Sequence, residues 1–263
     1  MNGYIKQLNH SVNDDEVQYS LQLGEETASV NAWIGRRIHI RFLGERHCIA
    51  CGRAVKKLFQ NGYCFPCVTT LAETDLCIVK PHQCHFAQGT CRDESFAQTH
   101  CMIPHTVYLS LSSQAKVGIT RMGRELQRWV DQGAVQAVAI ARTPTRMRSG
   151  EMEVEIAQNM PDKTDWRKMV RGVHEEVDLL QLAEKVAGNV SESFQSYLLD
   201  QHVLKRFNYP VLPDVTIKAV SKNIEKEEVT SDLIGVRGQY LLFSDGVLNV
   251  KKFAGYHVAL DVS

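Results

Sequence analysis

Two Cys-x-x-Cys pairs carry the strongest chemical signal in the sequence. Cys48 and Cys51 form the first pair, and after twelve further residues Cys64 and Cys67 form the second. Each pair makes a tight turn that directs two thiolates at one point, and two such turns complete a tetrahedral zinc site. Four buried thiols or a redox pair are the alternatives, but this ribbon-like spacing favours zinc. A four-sulfur site has no open coordination position, so we predict a structural role and no catalysis.

The other cysteines lie in the following segment, which is punctuated by proline and glycine. They are Cys77, Cys84, Cys91 and Cys101, with His82, His85, His100 and His105 among or beside them. Such a segment has little else from which to build a core, so one interpretation is a second zinc site with the four cysteines as its preferred ligands. The alternative is that some of these cysteines are buried apolar residues and that the histidines lie on the surface.

The composition is that of an ordinary globular protein, with 44% apolar and 23% charged residues. Thirty basic residues balance thirty acidic ones, so the overall charge indicates neither a nucleic-acid nor a membrane partner. The charge is nevertheless uneven along the chain. Residues 36–57 contain seven Lys/Arg and one glutamate, whereas residues 172–203 contain six acids and one lysine. A basic zone therefore precedes an acidic one.

The amino-terminal residues lack the apolar segment of a signal peptide, and no window approaches the roughly 18 apolar residues that cross a bilayer. Eight cysteines without an export signal indicate a reducing compartment, where paired cysteines hold metal more often than they form disulfides. We therefore expect a soluble cytoplasmic protein with no membrane partner.

Hydrophobic periodicity and the clustering of the cysteines divide the chain into five regions. In chain order these are N-terminal strands (1–47), a zinc-binding region (48–103), a core (104–171), a helical segment (172–210) and C-terminal strands (211–263). The two sets of terminal strands alternate in polarity, so we expect them to pack together as an antiparallel sheet or small barrel. The predicted fold class is α+β, with the zinc-binding region as a zinc-ribbon-like insertion.

The core has a regular succession of strands and helices. Thr106–Leu111 and Ala115–Thr120 are strands joined by a short polar turn, which is typical of a hairpin. A helix over Arg124–Gln132, an apolar strand over Ala134–Ala141 and a helix over Ser149–Met160 follow. The serine at the start of the last helix is its expected N-cap.

This order resembles the core of the GIY-YIG nucleases. In that family a tyrosine on the first strand, a second tyrosine before a glycine on the next strand, a helical arginine and a later glutamate surround a divalent metal ion. Thr106-Val-Tyr108 stands where Gly-Ile-Tyr would stand, and Lys116-Val-Gly118 stands where Tyr-Ile-Gly would stand. The run Lys116-Val-Gly-Ile-Thr120 is similar to the branch of the superfamily in which lysine replaces the second tyrosine.

The chain is also similar, over most of residues 40–170, to an uncharacterised prokaryotic family of zinc-binding proteins with this core. The shared markers are the double Cys-x-x-Cys, Cys84-His-Phe-Ala-Gln-Gly-Thr-Cys91, Arg128-Trp-Val-Asp-Gln-Gly-Ala134 and Asp162-Lys-Thr-Asp-Trp-Arg167. This resemblance implies a fold more readily than an activity.

The GIY-YIG resemblance implies a role for five side chains. Glu153 would hold Mg²⁺ or Mn²⁺, which offsets phosphate charge and lowers the pKa of a bound water molecule. Arg128 or Arg124 would stabilise charge on the phosphate, Tyr108 would position a group or act as a base, and Lys116 occupies the position of the missing tyrosine. Glu153 is preferred as the metal ligand because the apolar residues three, four and seven positions later place it beside the buried face of its helix.

Each of these side chains also has a purely structural interpretation. Tyr108 could be a packed strand residue, Arg128 could cover a helix face, and the glutamates of the last core helix could complement its N-terminus. An exposed lysine such as Lys116 is a poor base but a good phosphate partner.

Three functions from different classes remain open at this point. The first is nucleic-acid association through a GIY-YIG-like core that has lost catalysis, and we favour it because of the order of the hairpin and helices. Residues 103–171 carry eleven basic residues against seven acidic ones, an excess that permits phosphate contact without requiring it. The second is an active endonuclease that depends on a divalent metal ion. The third is a zinc-stabilised protein-interaction module whose partner the sequence does not reveal.

Overall fold

Residues 1–158, 160 and 164–263 are described by a computed structural model. The chain divides into two units. The terminal unit comprises residues 1–68 and 207–263, and the central unit comprises residues 69–206.

Antiparallel strands make up three sheets. In chain order the strands are β1 (Asn2–Tyr4), β2 (Leu8–Asn13), β3 (Glu16–Leu23), β4 (Glu26–Ser29), β5 (Arg37–Arg46), β6 (His105–Leu111), β7 (Ala115–Arg121), β8 (Gln136–Thr143), β9 (Leu204–Arg206), β10 (Val229–Arg237), β11 (Tyr240–Phe243), β12 (Gly246–Asn249) and β13 (Tyr256–Val262). The sheet orders are β1-β13-β5-β10-β11-β12, β2-β3-β4 and β7-β6-β8-β9.

The helices are short, and most of them lie in the central unit. They are α1 (Phe65–Thr70), α2 (Leu76–Val79), α3 (Glu94–His100), α4 (Glu125–Asp131), α5 (Arg146–Ala157), α6 (Trp166–Val170), α7 (Leu179–Asn189) and α8 (Glu192–Gln195). A 3-10 helix at Pro81–Gln83 lies between α2 and α3.

The terminal unit owes its sheets to period-two patterning. In β3, Val17, Tyr19, Leu21 and Leu23 are buried and the residues between them are not, as expected of a strand with one face in the core. Strands from both ends of the sequence share the six-stranded sheet, because β13 pairs with β1 on one side and with β5 on the other.

The central unit is organised around β6, all of whose residues are buried. This strand pairs with β7 on one side and with β8 on the other, so it is an inner strand of the central sheet. Helices α5 and α7 pack against the sheet. Val107, Leu109 and Ile140 of the sheet form a continuous apolar cluster with Met152 of α5 and Leu179 of α7.

The mixed α+β class and the antiparallel pairing predicted from the sequence are confirmed. The predicted hairpin is also confirmed, since β6 and β7 lie within one residue of the expected ranges. The predicted N-cap of the last core helix is wrong. Thr145 caps α5 by accepting a hydrogen bond from the Arg148 amide, and Ser149 is buried inside the helix, where its hydroxyl donates to the Arg146 carbonyl. The Thr-Pro-Thr run before the helix supplies an earlier start.

Two further segments differ in detail from the sequence analysis. The region expected to be helical over residues 172–210 contains α7 and α8 but ends in β9, which extends the central sheet at its edge. The Asp162–Arg167 motif begins in residues 161–163, which lie outside the described residues, as does residue 159 at the end of the predicted helix. Within the described part, Asp165 caps α6 by accepting from the Arg167 and Lys168 amides.

A close approach explains the glycine of the Lys116-Val-Gly118 run. Gly118 faces Tyr108 across the β6–β7 ladder. A Cβ atom at position 118 would lie 2.7 Å from both Cζ and Oη of Tyr108, which is far inside van der Waals contact. The fully buried tyrosine ring therefore occupies the space that any larger residue would need.

We expect Gly118→Ala to lower the free energy of unfolding by about 1–3 kcal/mol, because the buried ring must move to admit the methyl group. Urea unfolding followed by circular dichroism measures the change. Gly188→Ala in α7 is the matched control, since no heavy atom of a described residue lies within 4 Å of an added Cβ there. The control should leave stability unchanged or raise it by up to about 1 kcal/mol. Equal stability of Gly118→Ala and the wild type would contradict the packing argument.

Candidate functional site

The first cysteine cluster has the geometry of a tetrahedral metal site. Cys48, Cys51, Cys64 and Cys67 place their sulfur atoms within 4.8 Å of one another. The Cys51 and Cys64 Sγ atoms are 3.7 Å apart. Four sulfurs at the usual zinc–sulfur distance of about 2.3 Å form a tetrahedron with edges of about 3.8 Å. The four-cysteine cluster could therefore hold a zinc ion, and four thiolates would fill its coordination shell.

Backbone turns next to each pair of cysteines direct the sulfur atoms inward. Gly52 has a φ of +70°, and its amide donates to the Cys48 carbonyl at 2.9 Å. Gly62 has a φ of +130°, and its carbonyl accepts from the Ile49 amide at 2.9 Å. A Cβ at position 62 would lie 2.8 Å from the Ile49 side chain, so glycine suits both the backbone conformation and the space.

The surroundings of the cluster favour a thiolate at Cys48 and a protonated thiol at Cys67. Burial alone would raise the pKa of Cys48, but backbone amides from Cys51, Cys64 and Ala50 lower that pKa to about 6. Hydrogen bonding to the Cys64 thiol, assisted by partial desolvation, raises the pKa of Cys67 to about 12. One thiol thus ionises readily while another keeps its proton, and a bound cation would displace the protons that remain.

A second candidate site is an arginine-lined cavity of about 450 Å³ in the central unit. We call it the arginine cavity. Among the described residues, its charged lining residues are Arg121, Arg124, Arg128, Arg146, Asp131 and Glu153. Four guanidinium groups against two carboxylates make the lining electropositive, so the cavity is suited to an anion.

Three elements position the charged groups of the arginine cavity. Arg124, Arg128 and Asp131 follow one another at helical spacings of four and three residues, at the N-cap and along α4. Arg146 and Glu153 lie seven residues apart on α5, which places them on one face. Arg121 ends β7. The cavity therefore lies where the hairpin, the helix after it and α5 meet.

The surroundings lower the pKa of two of the four guanidinium groups. Burial lowers the pKa of Arg146; Cys101 opposes this change, and the nearby Arg128 adds to it. Burial also lowers the pKa of Arg121, with a contribution from Arg124. The Nη2 of Arg146 donates to the Ile78 carbonyl at 2.6 Å, while its Nε is buried without a hydrogen-bond partner among the described residues. A bound anion would offset this repulsion.

Tyr108 lies beneath the arginine cavity and is fully buried. The Gln132 amide connects it to the cavity: with its oxygen toward Arg128, that amide accepts from Nε and Nη2 at 3.0 Å, and its nitrogen lies 3.2 Å from the Tyr108 hydroxyl. Burial raises the pKa of Tyr108, although Arg128 opposes the change. The hydroxyl is therefore protonated at neutral pH, which suits a positioning group better than a base.

Lys116 is on the hairpin but away from the cavity. It pairs with Ser110, whereas Gly118 pairs with Tyr108 and Thr120 lines the cavity. Residues two apart on a strand share a face, so Lys116 lies on the same side of the sheet as Thr120, roughly 13 Å farther along the strand. It is not among the described residues that line the cavity.

Residues 35–258 match the family described as a protein of unknown function, DUF2797. The chain belongs to this family. No curated protein and no solved structure matches it. Within the described residues, every helix is too short or too polar to cross a membrane. Membership of DUF2797 supplies no activity, so the chemistry has to be argued from the two sites.

Of the side chains that the GIY-YIG resemblance singled out, Arg124, Arg128 and Glu153 share the arginine cavity, and Tyr108 lies next to it. Their catalytic roles stay predictions. Sequence reasoning did not select Arg121 or Arg146 as site residues. The helical spacing of Arg124, Arg128 and Asp131 was a usable signal for one wall, whereas nothing local to Arg121 indicates that it meets α5.

The other four cysteines surround a small enclosed cavity of about 20 Å³ in the central unit. Burial raises the pKa of Cys77 to about 11, helped by Asp75 and by the thiols of Cys84, Cys101 and Cys91. The Cys77 thiol is thus within electrostatic reach of the other three. The ligand atoms of Asp75, Cys77 and His85 lie within 4.8 Å of one another, whereas the four cysteines are related by the cavity that they line together.

We expect Cys64→Ser to remove one zinc ion per chain and to lower the melting temperature, because three sulfurs and a hydroxyl bind zinc less well than four thiolates. Elemental analysis of the purified protein measures the zinc content. Arg53→Ala in the same turn is the control. The Arg53 carbonyl accepts from the Cys48 amide at 3.0 Å, and alanine keeps that carbonyl. Unchanged zinc content in Cys64→Ser would exclude this cluster as a zinc site.

Proposed function

We propose that the central unit binds the phosphate groups of nucleic acid in the arginine cavity, and that it does so without cleaving the chain. The observation that carries this proposal is the convergence of four arginines on one cavity that contains only two carboxylates among its described lining residues. Phosphodiester groups are anions that guanidinium groups bind through paired hydrogen bonds.

The arginines lie at different depths in the cavity, which supports the binding of a backbone phosphate that approaches from the surface. Arg124 and Arg128 are exposed at the rim, whereas Arg146 is held deeper by its hydrogen bond to the Ile78 carbonyl. A polymer could therefore meet the rim first and place one phosphate against the inner guanidinium. Such contacts position a nucleic acid without reading its sequence.

The resemblance to the GIY-YIG core also supports the proposed phosphate binding. The succession β6, β7, α4, β8 and α5 is the one that the resemblance implies. Tyr108 lies close enough to both Arg128 and Glu153 for each to affect its pKa, as that resemblance also requires. The buried protonated tyrosine and the distance of Lys116 from the cavity favour a core that binds phosphate but lacks an effective base.

The active-nuclease alternative is favoured by one specific observation, the presence of Glu153 inside the arginine cavity. In that alternative Glu153 would hold Mg²⁺ or Mn²⁺, Arg128 would stabilise charge on the phosphate, and Tyr108 would position the attacking water molecule. The two alternatives share their binding site and differ in whether a phosphodiester bond is broken.

The cysteine chemistry bears on the compartment in which this function would operate. Thiolate zinc sites persist where cysteines stay reduced, which supports a cytoplasmic location. A cytoplasmic protein would also have access to both DNA and RNA.

We expect the wild-type chain to bind a short labelled oligonucleotide at low salt, and Arg121→Ala to weaken that binding roughly tenfold to a hundredfold, since one hydrogen-bonded charge contact is worth about 1.5–3 kcal/mol. Fluorescence anisotropy over a range of salt concentrations measures the affinity, and the salt slope should fall by about one. Arg142→Ala is the matched control, because Arg142 is exposed on β8 and is not among the described residues lining the cavity. Absence of salt-dependent binding to single-stranded and duplex DNA and RNA would overturn the proposal and favour the interaction-module interpretation.

Glu153→Gln separates binding from cleavage. If the cavity only binds phosphate, removal of a negative charge should leave the affinity unchanged or increase it a few-fold, and wild-type protein with Mg²⁺ or Mn²⁺ should leave a labelled oligonucleotide intact on a denaturing gel. Metal-dependent cleavage by the wild type that Glu153→Gln abolishes would instead establish the nuclease alternative.

A further inference from the structure

Residues 71–102, all of which the structure describes, have almost no apolar core of their own. Their secondary structure is limited to short turns of helix, of which α3 is the longest. The buried residues of this segment are Ala72, Thr74, Pro81, Ala97 and Cys101. So little buried surface does not stabilise a fixed loop, whereas a metal ion that cross-links distant residues does.

Four thiols are placed to supply that cross-link. Cys77, Cys84, Cys91 and Cys101 line one enclosed cavity of about 20 Å³, with Phe86 and Phe96 as apolar neighbours. The four residues come from α2, from the turns on either side of the 3-10 helix at residues 86–88, and from the end of α3. A zinc ion there would hold the whole loop together.

The other possible metal ligands in this region, Asp75 and His85, already contact other side chains. The Asp75 carboxylate accepts from Arg92 Nε at 2.7 Å and from the Cys77 amide at 3.4 Å. The His85 ring contacts the Thr90 hydroxyl through Nδ1 at 2.8 Å and lies 3.6 Å from Asp75 through Nε2. The Cys91 Sγ also donates to the Asp93 carbonyl at 3.4 Å, but this thiol contact is weaker than the ion pair between Asp75 and Arg92. Because zinc binds thiolates strongly, we prefer the four sulfurs as ligands, with Asp75 and His85 as supporting residues around them.

The same loop forms one wall of the arginine cavity. Ile78, Val79 and Pro81 line the cavity beside Arg146. The amide of Arg146 donates to the Cys101 carbonyl at 2.8 Å, and its Nη2 donates to the Ile78 carbonyl at 2.6 Å. The deepest arginine of the cavity is therefore attached to the loop at two points, one at a cysteine and the other next to one.

Helix α5 also packs directly against this loop. A Cβ at Gly150 would lie 2.5 Å from the Pro81 Cβ and 2.7 Å from the His82 amide nitrogen. Glycine thus lets the helix that carries Arg146 and Glu153 pack in close contact with the 3-10 helix of the loop. A displacement of the loop would therefore move the inner charged groups of the cavity.

We infer that Cys77, Cys84, Cys91 and Cys101 bind a second zinc ion, and that this ion fixes the wall and the inner arginine of the phosphate-binding cavity. The zinc assignment stands on the loop alone, whereas its effect on phosphate binding rests on the proposed function. In this arrangement zinc touches no phosphate. It acts by holding the Ile78 carbonyl and the Cys101 carbonyl where Arg146 needs them.

The test compares Cys84→Ser and Cys91→Ser with Cys67→Ser in the full chain. Three quantities are measured: zinc per chain by elemental analysis, backbone hydrogen exchange by mass spectrometry, and the affinity for the oligonucleotide bound by the wild type. Cys67→Ser is the matched control because it removes a thiol from the first cluster, in the terminal unit. Wild-type protein treated stepwise with a zinc chelator repeats the comparison without any substitution, so poor solubility of a variant does not prevent a decision.

The wild type should contain two zinc ions, and each of the three variants should contain one. Cys84→Ser and Cys91→Ser should exchange faster in residues 77–101 and in the first turn of α5, and should bind the oligonucleotide roughly tenfold more weakly. Cys67→Ser should keep both the protection of α5 and the affinity. Two zinc ions in Cys84→Ser would overturn the ligand assignment, and loss of zinc without faster exchange in α5 would overturn the link to the cavity. If the wild type binds no nucleic acid, the proposed function fails, while zinc content and exchange still decide the second site.

Discussion

The hydrogen bonds of Arg146 are the contacts on which the organisation of the central unit most depends. Its backbone amide donates to the Cys101 carbonyl and its guanidinium donates to the Ile78 carbonyl, so one residue joins the start of α5 to both ends of the cysteine-rich loop. A buried guanidinium is costly unless its donors are satisfied, and backbone carbonyls satisfy only part of this one. The Nε of Arg146 remains without a hydrogen-bond partner among the described residues.

Burial also determines what the neighbouring groups can do. Tyr108 fills the space over Gly118, and its pKa is raised because the phenolate would be desolvated. His105, at the start of β6, is buried as well, and desolvation lowers its pKa from 6.5 to about 4. Both side chains are therefore uncharged at neutral pH. The charged side chains among the described residues that line the cavity are the four arginines, Asp131 and Glu153.

The sequence was most informative where chemistry depends on local spacing. Two Cys-x-x-Cys turns define their own geometry, because each pair and its neighbouring glycine lie within a few residues, and the grouping of the first four cysteines could be predicted from their spacing. The hairpin and the succession of helices in the core were likewise visible from periodicity. The class of fold followed from these elements, since strands of both termini alternate in polarity.

Those local patterns do not predict which residues that are distant in the sequence meet in the fold. Arg121 and Arg146 are separated by a helix and a strand, and they meet only because β7 and α5 belong to adjacent layers of one unit. The early start of α5 was missed because Thr145 and Ser149 are both acceptable caps, and only packing decides between them. Similarly, the spacing of Cys77, Cys84, Cys91 and Cys101 indicated ligands but could not show that their loop lies against α5.

The charge of the arginine cavity also constrains any chemistry that it could support. A divalent cation held by Glu153 would share about 450 Å³ with four guanidinium groups, and their repulsion would oppose its entry. A phosphate group bound first would reverse that balance by adding negative charge between the arginines and the carboxylate. Metal binding at Glu153 would then depend on prior binding of the polymer. On charge alone, the cavity therefore favours an anion over a free divalent cation.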